Sequence, residues 1–264
     1  MFREELHRAF INQAFVLALL IASLALVVGL IDYTAGPAPS QLPGASPFLN
    51  NAFDAFLWGQ GNLFVLIAPV IAVLAFGDSF VVDRAKGYLN YILLRSSYWK
   101  YLTAKFLANL LAGGTSLALP LLLLYGYTNL AFPRGFPPAI NARIPYNTLP
   151  GPLGYLYGQS PDVYILFLIG LAFIFGAAYS SLALALSMFI HNRYIVLATP
   201  FLLFIVAEFV LQALRLGNWG PTVALAPWMR TSASSFVPIA GTGIVFLAST
   251  ACLLVMARKE QVNG

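Results

Sequence analysis

Six long apolar runs constrain this chain more than any other feature of its sequence. They cover residues 15–31, 63–80, 102–124, 164–190, 194–214 and 236–256. A helix needs about 20 mainly apolar residues to cross a hydrocarbon core about 30 Å thick. The runs are continuous, whereas the strands of a membrane barrel alternate in polarity over segments of about 10 residues. We therefore predict an all-α integral membrane protein in which residues 1–264 form one domain with six transmembrane helices.

Composition supports the same class of protein. Hydrophobic residues make up 60% of the 264-residue chain and charged residues only 9%, whereas a soluble domain carries about 25% charged residues. So few charges cannot keep a soluble surface dispersed, but lipid tails solvate apolar side chains directly. The net charge of +5 is not gathered with aromatic residues on a soluble module, so nucleic-acid binding has little support.

The basic residues predict the orientation of the chain in the membrane. The N-terminus, the second-to-third connection, the fourth-to-fifth connection and the C-terminus fall on one side. That side holds Arg3, Arg8, Arg84, Lys86, Arg95, Lys100, Lys105, Arg193, Arg258 and Lys259, and the other side holds Arg134, Arg143, Arg215 and Arg230. The positive-inside rule places the richer side in the cytoplasm. We predict a multi-pass protein of the cell membrane with both termini cytoplasmic.

The first 12 residues precede the first apolar run and have a pattern of their own. Phe2, Leu6 and Phe10 recur every four residues, and charged residues occupy the other faces of the same stretch. This pattern predicts an amphipathic helix lying in the membrane interface. Glu4 and Arg8 stand one turn apart on that helix and are expected to pair. The alternative is a frayed start of the first span.

Three segments are predicted to lie on the outer side. Residues 32–60 and 132–162 are rich in proline, which interrupts a helix by removing a hydrogen bond and clashing with the preceding turn. Both are therefore expected to be loops. Residues 215–235 are too few to cross the membrane and too apolar for a free loop. We predict that this third segment dips back into the outer leaflet, where its backbone must be covered by protein or face water.

The sequence contains no recognisable catalytic centre or metal site. Its two histidines, His7 and His191, and its one cysteine, Cys252, are not clustered with carboxylates as a metal site requires. No Gly-x-x-x-x-Gly-Lys-Ser/Thr loop occurs, so the chain lacks the usual device for holding a nucleotide's phosphates. We expect a protein that is not an enzyme and that binds no cofactor or metal of its own.

The connection between the second and third runs, residues 78–101, is longer and more charged than a turn between neighbouring helices needs. Tyr88, Tyr91 and Ile92, with Arg95 one turn further on, mark one face of a short helix. Such a helix is suited to lie along the membrane and present its polar side to a cytoplasmic partner. The alternative is a solvated loop that carries positive charge for topology alone.

A family resemblance appears at this connection. An acidic residue is followed by a glycine four positions later, a leucine pair, a short polar break, an aromatic residue and a lysine that enters a long apolar helix. These positions are filled by Asp83, Gly87, Leu93, Leu94, Ser96, Ser97, Tyr98 and Lys105. The pattern resembles the coupling-helix region of ABC transporter permeases of the ABC-2 type. That family usually has Glu at the acidic position and often Pro before a Ser-Arg pair in the break, whereas this chain has Asp83 and Arg95-Ser96-Ser97.

The resemblance extends to the layout of elbow helix, six spans, cytoplasmic termini and apolar outer segment, and it implies the membrane subunit of an ATP-driven exporter. Two permease copies, identical or homologous, would surround a path through the membrane lipid. A separate ATP-binding subunit would bind ATP and dock beneath them. The positions implied in coupling to that subunit are Asp83, Arg84, Gly87 and Arg95. The apolar, largely uncharged interior favours a hydrophobic or amphipathic cargo such as a lipid, drug or peptide.

Glu208 lies within the fifth apolar run, where a carboxylate must be paired, protonated or facing water. Gln212 stands one turn away on the same face and can share a hydrogen bond with it. Two interpretations stay open. Glu208 is either a polar contact in the transport path or gate, or a structural contact to another part of the chain such as Arg215. Glu208 is also the ionisable residue that the main alternative function, an ATP-independent secondary carrier or channel, would use.

Overall fold

A computed structural model describes residues 1–35, 51–88, 91, 97–134, 149, 151–229 and 236–263, with side chains at all of these except 62, 238 and 256–263. All regular structure in these ranges is helical. The helices are α1 (Phe2–Phe10), α2 (Gln13–Ala35), α3 (Ala52–Gln60), α4 (Asn62–Phe76), α5 (Ser79–Ala85), α6 (Tyr98–Ala131), α7 (Leu156–Gln159), α8 (Pro161–Leu186), α9 (Arg193–Ala213), α10 (Pro221–Leu225) and α11 (Val237–Asn263). Short 3₁₀ turns at Gly217–Trp219 and Pro227–Met229 flank α10.

Five helical stretches in the described residues are long and apolar enough to cross a membrane. They are Gln13–Ala35, Leu63–Ala85, Tyr98–Ala131, Pro161–Leu186 and Arg193–Ala213. The predicted all-α class and its membrane-length helices are thus confirmed. The sixth predicted span coincides with α11, but the apolar stretch described there, Ile239–Val255, is shorter than the others. The sixth span therefore stays a prediction.

The prediction of a loop over the whole of residues 32–60 was wrong at both ends. Helix α2 continues to Ala35, and α3 begins at Ala52. The prolines that motivated the loop all precede residue 48 and lie outside the described residues. Helix α3 forms because Asn51 caps it, accepting a hydrogen bond from the Asp54 N–H at 2.7 Å. Phe53, Phe56 and other apolar side chains then bury its surface against the core.

The centre of the bundle is the pair formed by α6 and α8, and α4 packs against both. Glycines allow this close approach. A Cβ placed on Gly113 would lie 2.9 Å from the carbonyl oxygen of Gly176, and one on Gly176 would lie 3.2 Å from the Cα of Gly114. Small residues at facing positions are how membrane helices come into backbone contact.

Helices α2 and α9 both pack against α4 and are the least covered of the five membrane-length stretches. Only 17% of the most apolar stretch of α9 is buried, against 61% for α8. Large apolar side chains of α9, including Leu202, Val206 and Phe209, are exposed along its outer face. This face therefore meets lipid or another protein chain when the protein is in a membrane.

Candidate functional site

One end of the bundle gathers several of the basic residues, and we call it the basic end. It consists of α1, α5, the beginning of α6 and the junction between α8 and α9. Arg8 reaches from α1 to Asp83 on α5, and Arg193 at the start of α9 pairs with Asp78. Both arginines belong to the set predicted to be cytoplasmic. Their common location agrees with the predicted topology, while the orientation of this end in a membrane stays a prediction.

A largely buried group of polar and charged side chains, with only Arg8 partly exposed, lies at the basic end, and we call it the Asp83 cluster. It consists of Glu5, Arg8, Asp83, Tyr101 and Lys105. Arg8 donates to Asp83 Oδ1 at 2.5 Å and to Glu5 Oε1 at 2.8 Å. The Tyr101 hydroxyl donates to Asp83 Oδ2 at 2.7 Å, and the Lys105 ammonium group pairs with the same oxygen. Lys105 also lies 3.3 Å from Glu5 Oε2, so the pairing is continuous.

The burial of the Asp83 cluster makes its charge balance important. The Lys105 side chain is 0% exposed, and those of Asp83 and Glu5 are 2% and 3% exposed. Removing such ions from water costs several kcal/mol each, which only close pairing offsets. Two carboxylates face two cations here, so the cluster is neutral as a whole. Burial works against the charged form of Arg8, but the hydrogen bond to Asp83 and the charge of Glu5 outweigh it and raise the pKa of Arg8.

Helix geometry explains how the cluster assembles. Glu5 and Arg8 stand three residues apart on α1, and Tyr101 and Lys105 stand four apart on α6, so each pair shares one face of its helix. The Lys105 ammonium group lies 5.3 Å from the ring centroid of Phe76 and 5.1 Å from that of Tyr101. These aromatic faces favour a cation that has lost most of its water.

The predicted Glu4–Arg8 pair was wrong. Glu4 is 80% exposed and lies 3.4 Å from the N-terminal amine of Met1, while Arg8 pairs with Glu5. Residues at either spacing, three or four, are neighbours on a helix, so the choice falls to tertiary contacts. The buried Lys105 needs a carboxylate on the face of α1 that packs against α6. Glu5 lies on that face, so Arg8 pairs with Glu5 and not with Glu4. The lysine inside an apolar helix was the sequence signal for this cluster.

Arg84 ties α5 to the other side of the basic end. Its guanidinium group donates to the carbonyl oxygen of Met188 at 3.3 Å and lies 3.2 Å from Nε2 of His191. It also lies 4.9 Å from the ring centroid of Phe80. Together with the Asp78–Arg193 pair, these contacts fasten α5 to the α8–α9 junction. Helix α5 is thus held on one side by α1 and α6 and on the other by α8 and α9.

Gly87 ends this region in a left-handed conformation. Its φ is +68°, and its N–H donates to the carbonyl oxygen of Arg84 at 3.1 Å. A Cβ placed on Gly87 would meet nothing within 4 Å, so the backbone conformation, and not space, favours glycine here. Arg95, the fourth predicted coupling residue, lies outside the described residues.

Glu208 and Gln212 lie far from the Asp83 cluster, near the other end of α9. Gln212 donates to Glu208 Oε1 at 2.7 Å, which confirms the predicted hydrogen bond. Glu208 Oε2 accepts the N–H of Thr222, in the first turn of α10, at 3.2 Å. Glu208 therefore connects α9 to the segment that follows it. The hydrogen bond from Thr222 is the kind of contact that a structural role of Glu208 requires. A role of Glu208 in transport stays a prediction.

The predicted re-entrant segment is folded back against the bundle as far as residue 229. Val223, Leu225 and their neighbours are buried. Gln60 at the end of α3 donates to the carbonyl oxygen of Leu225 at 3.3 Å and accepts from the indole nitrogen of Trp228 at 3.0 Å. This covering agrees with the expectation for apolar backbone at membrane depth. Residues 230–235 of the predicted segment lie outside the described residues.

The fold and these contacts define an all-α protein of the membrane type, with a neutral, buried ionic cluster at one end and a folded-back segment at the other. No group of three or more His, Cys, Asp or Glu side chains placed to hold a metal ion occurs within the described ranges. No protein-family model matches the sequence, and no curated protein matches it.

Proposed function

We propose that this chain is the membrane-spanning subunit of an ATP-driven ABC exporter of the ABC-2 type. The observation that carries the proposal is the position of α5. This helix begins the stretch that resembles a coupling helix, and ion pairs and hydrogen bonds join it to α1, α6 and the α8–α9 junction. A displacement applied to α5 by a docked subunit is therefore passed to several long helices at once.

The separate subunit binds and hydrolyses ATP, and the chain described here is not itself an enzyme. In this proposal Asp83 shapes the docking surface from within, because its buried carboxylate is already hydrogen-bonded inside the chain. Arg84 acts in the same way through Met188 and His191. Gly87 sets the direction in which the chain leaves α5. In this proposal Arg95 belongs to the docking surface itself.

A second permease copy, identical or homologous, completes the proposed exporter. The support is the exposed face of α9, which bears Leu202, Val206, Phe209 and Gln212, with the half-buried Glu208 hydrogen-bonded to Gln212 in the same membrane-length helix. Polar side chains within a span are expensive in lipid and normally face a helix partner or a water-filled path. We place the partner copy or the export path against this face. The cargo class that suits the apolar surroundings is hydrophobic or amphipathic.

The alternative function is an ATP-independent carrier or channel in which Glu208 is the coupling residue. The same position of Glu208 on the least covered long helix favours it. The two functions differ in what they need. The exporter needs an ATP-binding partner at α5, whereas the carrier needs only this chain and a titratable Glu208.

Affinity purification of the tagged chain from its native membrane, followed by mass spectrometry, tests the proposal. We expect an ATP-binding subunit at about equal amount, reduced in the variant Gly87→Ala. That substitution strains the left-handed backbone by about 1–2 kcal/mol without any clash. Gly126→Ala is the matched control, because a Cβ at Gly126 also meets nothing within 4 Å and sits inside α6. The control variant should retain the subunit.

Two results would oppose the exporter proposal. The first is a chain that purifies alone in a detergent that preserves other membrane complexes. The second is ion-dependent flux through liposomes that contain only this chain, lost in Glu208→Gln. Together they would establish the carrier or channel.

A further inference from the structure

A second carboxylate with unusual surroundings lies at the end of the bundle opposite the basic end. Asp54, in the first turn of α3, is partly buried. Its Oδ1 accepts the hydroxyl of Tyr157 on α7 at 2.6 Å, and its Oδ2 accepts the side-chain amide of Asn51 at 2.8 Å. No part of the proposed export mechanism uses this residue.

The groups that face Asp54 are nearly all neutral. Helices α2, α4 and α6 pack against α3, and α7 reaches it through Tyr157. Helix α4 carries no titratable side chain. Among the described residues, no lysine or arginine pairs with Asp54. In the described ranges, the titratable or charged groups at this end of the elements around α3 include the exposed Asp32 and the neighbouring Tyr33 of α2, Tyr125 of α6, the exposed Arg134 after α6, Tyr157 of α7, and Asp162 and Tyr164 of α8.

Arg134 and Asp162 both interact with Tyr125. Tyr125 donates its hydroxyl to Asp162, and the positive charge of Arg134 also influences Tyr125. Among the described residues, the Asp54 carboxylate is therefore solvated by hydroxyl and amide dipoles and has no cation as a partner. A partly buried carboxylate without a cation is costly, and taking up a proton removes that cost.

The direction of the electrostatic effect agrees with this geometry. Burial raises the pKa of Asp54, and the hydrogen bonds from Tyr157 and Asn51 lower it by less than burial raises it. A group whose pKa is raised by packing stabilises the packed state at low pH. That stabilisation is complete below the ordinary pKa of an aspartate and is lost as the pH rises through the raised value.

Hydrogen bonds at both ends connect α3 to neighbouring parts of the chain, so a change in its packing affects them. The N–H of Ala52 at its start donates to the carbonyl oxygen of Pro133, after α6, at 3.1 Å. Gln60 at its end holds Leu225 and Trp228 of the folded-back segment. The packing of α3 therefore affects both neighbours. A protonated Asp54 keeps its contact with Tyr157, because a hydroxyl both donates and accepts hydrogen bonds.

We propose that Asp54 is a proton-binding site, and that proton uptake from the water at this end stabilises the packed position of α3 against α2 and α7. One proton adds to the carboxylate and leaves again to water, so no other reactant is needed. The proposal is independent of whether an ATP-binding subunit docks at the basic end.

Hydrogen exchange of the protein in lipid nanodiscs, measured from acid to neutral pH and corrected for the intrinsic rate, tests the proposal. In the wild type, protection of residues 52–60 should fall through one transition as the pH rises, while residues 63–76 of α4 serve as an internal control. Asp54→Asn keeps an acceptor for Tyr157 and cannot ionise. Its protection should stay high across the range.

Tyr157→Phe separates proton binding from general loosening. The Tyr157 hydroxyl favours the carboxylate form, so its removal should move the transition to higher pH. A uniform loss of protection without a shift would overturn the proposal, as would an Asp54→Asn profile identical to the wild type. The wild-type infrared spectrum should also gain a carboxylic-acid carbonyl band as residues 52–60 become protected, and its absence would overturn the proposal whatever the variants show.

Discussion

The substitution Lys105→Met tests the account of the Asp83 cluster most severely. Methionine fills much the same space but leaves Asp83 and Glu5 with only Arg8, so a buried cluster that was neutral carries one excess negative charge. The attraction between Lys105 and Glu5 at 3.3 Å is about 5 kcal/mol at an effective dielectric constant of about 20. Breaking a buried pair by removing one partner costs about 3–5 kcal/mol. We expect a loss of unfolding free energy in that range.

A second substitution restores the charge balance and sharpens this test. In the double variant Lys105→Met with Glu5→Gln, Asp83 and Arg8 remain as one ion pair. Because neutral replacement of buried ions is often tolerated, at least half of the lost stability should return. Lys100→Met is the matched control, since Lys100 lies on the same helix but is exposed, and should change stability by no more than about 0.5 kcal/mol.

Denaturant-induced unfolding in a mild detergent, followed by tryptophan fluorescence, measures these differences. The reasoning is refuted if Lys105→Met is as stable as Lys100→Met, or if adding Glu5→Gln lowers the stability further. The first outcome would mean that water reaches the cluster and solvates the charges. The second outcome would mean that Lys105 does not stabilise the negative charges of Glu5 and Asp83 together.

Substitutions at three other positions test contacts outside that cluster. Gln60→Leu removes the acceptor of the Trp228 indole and should destabilise the protein by about 1–3 kcal/mol. It should also shift the tryptophan emission, and unchanged emission would contradict the hydrogen bond between Trp228 and Gln60. Glu208→Leu leaves the Thr222 N–H without its acceptor and should cost about 1–3 kcal/mol in unfolding free energy, while Glu208→Gln should cost less than half as much. Equal losses would contradict the hydrogen bond between Glu208 and Thr222. Gly113→Ala overpacks the contact between α6 and α8 and should cost about 1–3 kcal/mol, and a neutral effect on the thermal midpoint would contradict the close approach.

The long helices were predictable from the sequence because a membrane-length apolar run has few alternatives to a helix. The same holds for the Gln212–Glu208 hydrogen bond, which depends only on residues four apart in one helix. Helix α3 was missed because the prolines before residue 48 dominated the interpretation of the whole segment. Its own signals were the capping residue Asn51 and the aromatic pair Phe53 and Phe56.

Contacts between distant parts of the chain were beyond prediction. Asp54 and Tyr157 are 103 residues apart, and Gln60 and Trp228 are 168 apart. No local pattern selects one such partner over another, because packing of several helices brings them together. Lys105 offered a partial signal, because an ammonium group within an apolar helix requires a carboxylate, although the sequence does not say that Glu5 and Asp83 both supply one.

Site-specific cross-linking from α5 tests the proposed function most directly. Lys86, at the end of α5, and Arg215, after α9, are both exposed, and they lie at opposite ends of the bundle. A photo-reactive amino acid at either position can be activated in native membranes and its adducts identified by mass spectrometry. The account predicts an adduct with an ATP-binding protein from position 86 and none from position 215. No such adduct from position 86, or equal adducts from both positions, would contradict the assignment of α5 as the coupling element.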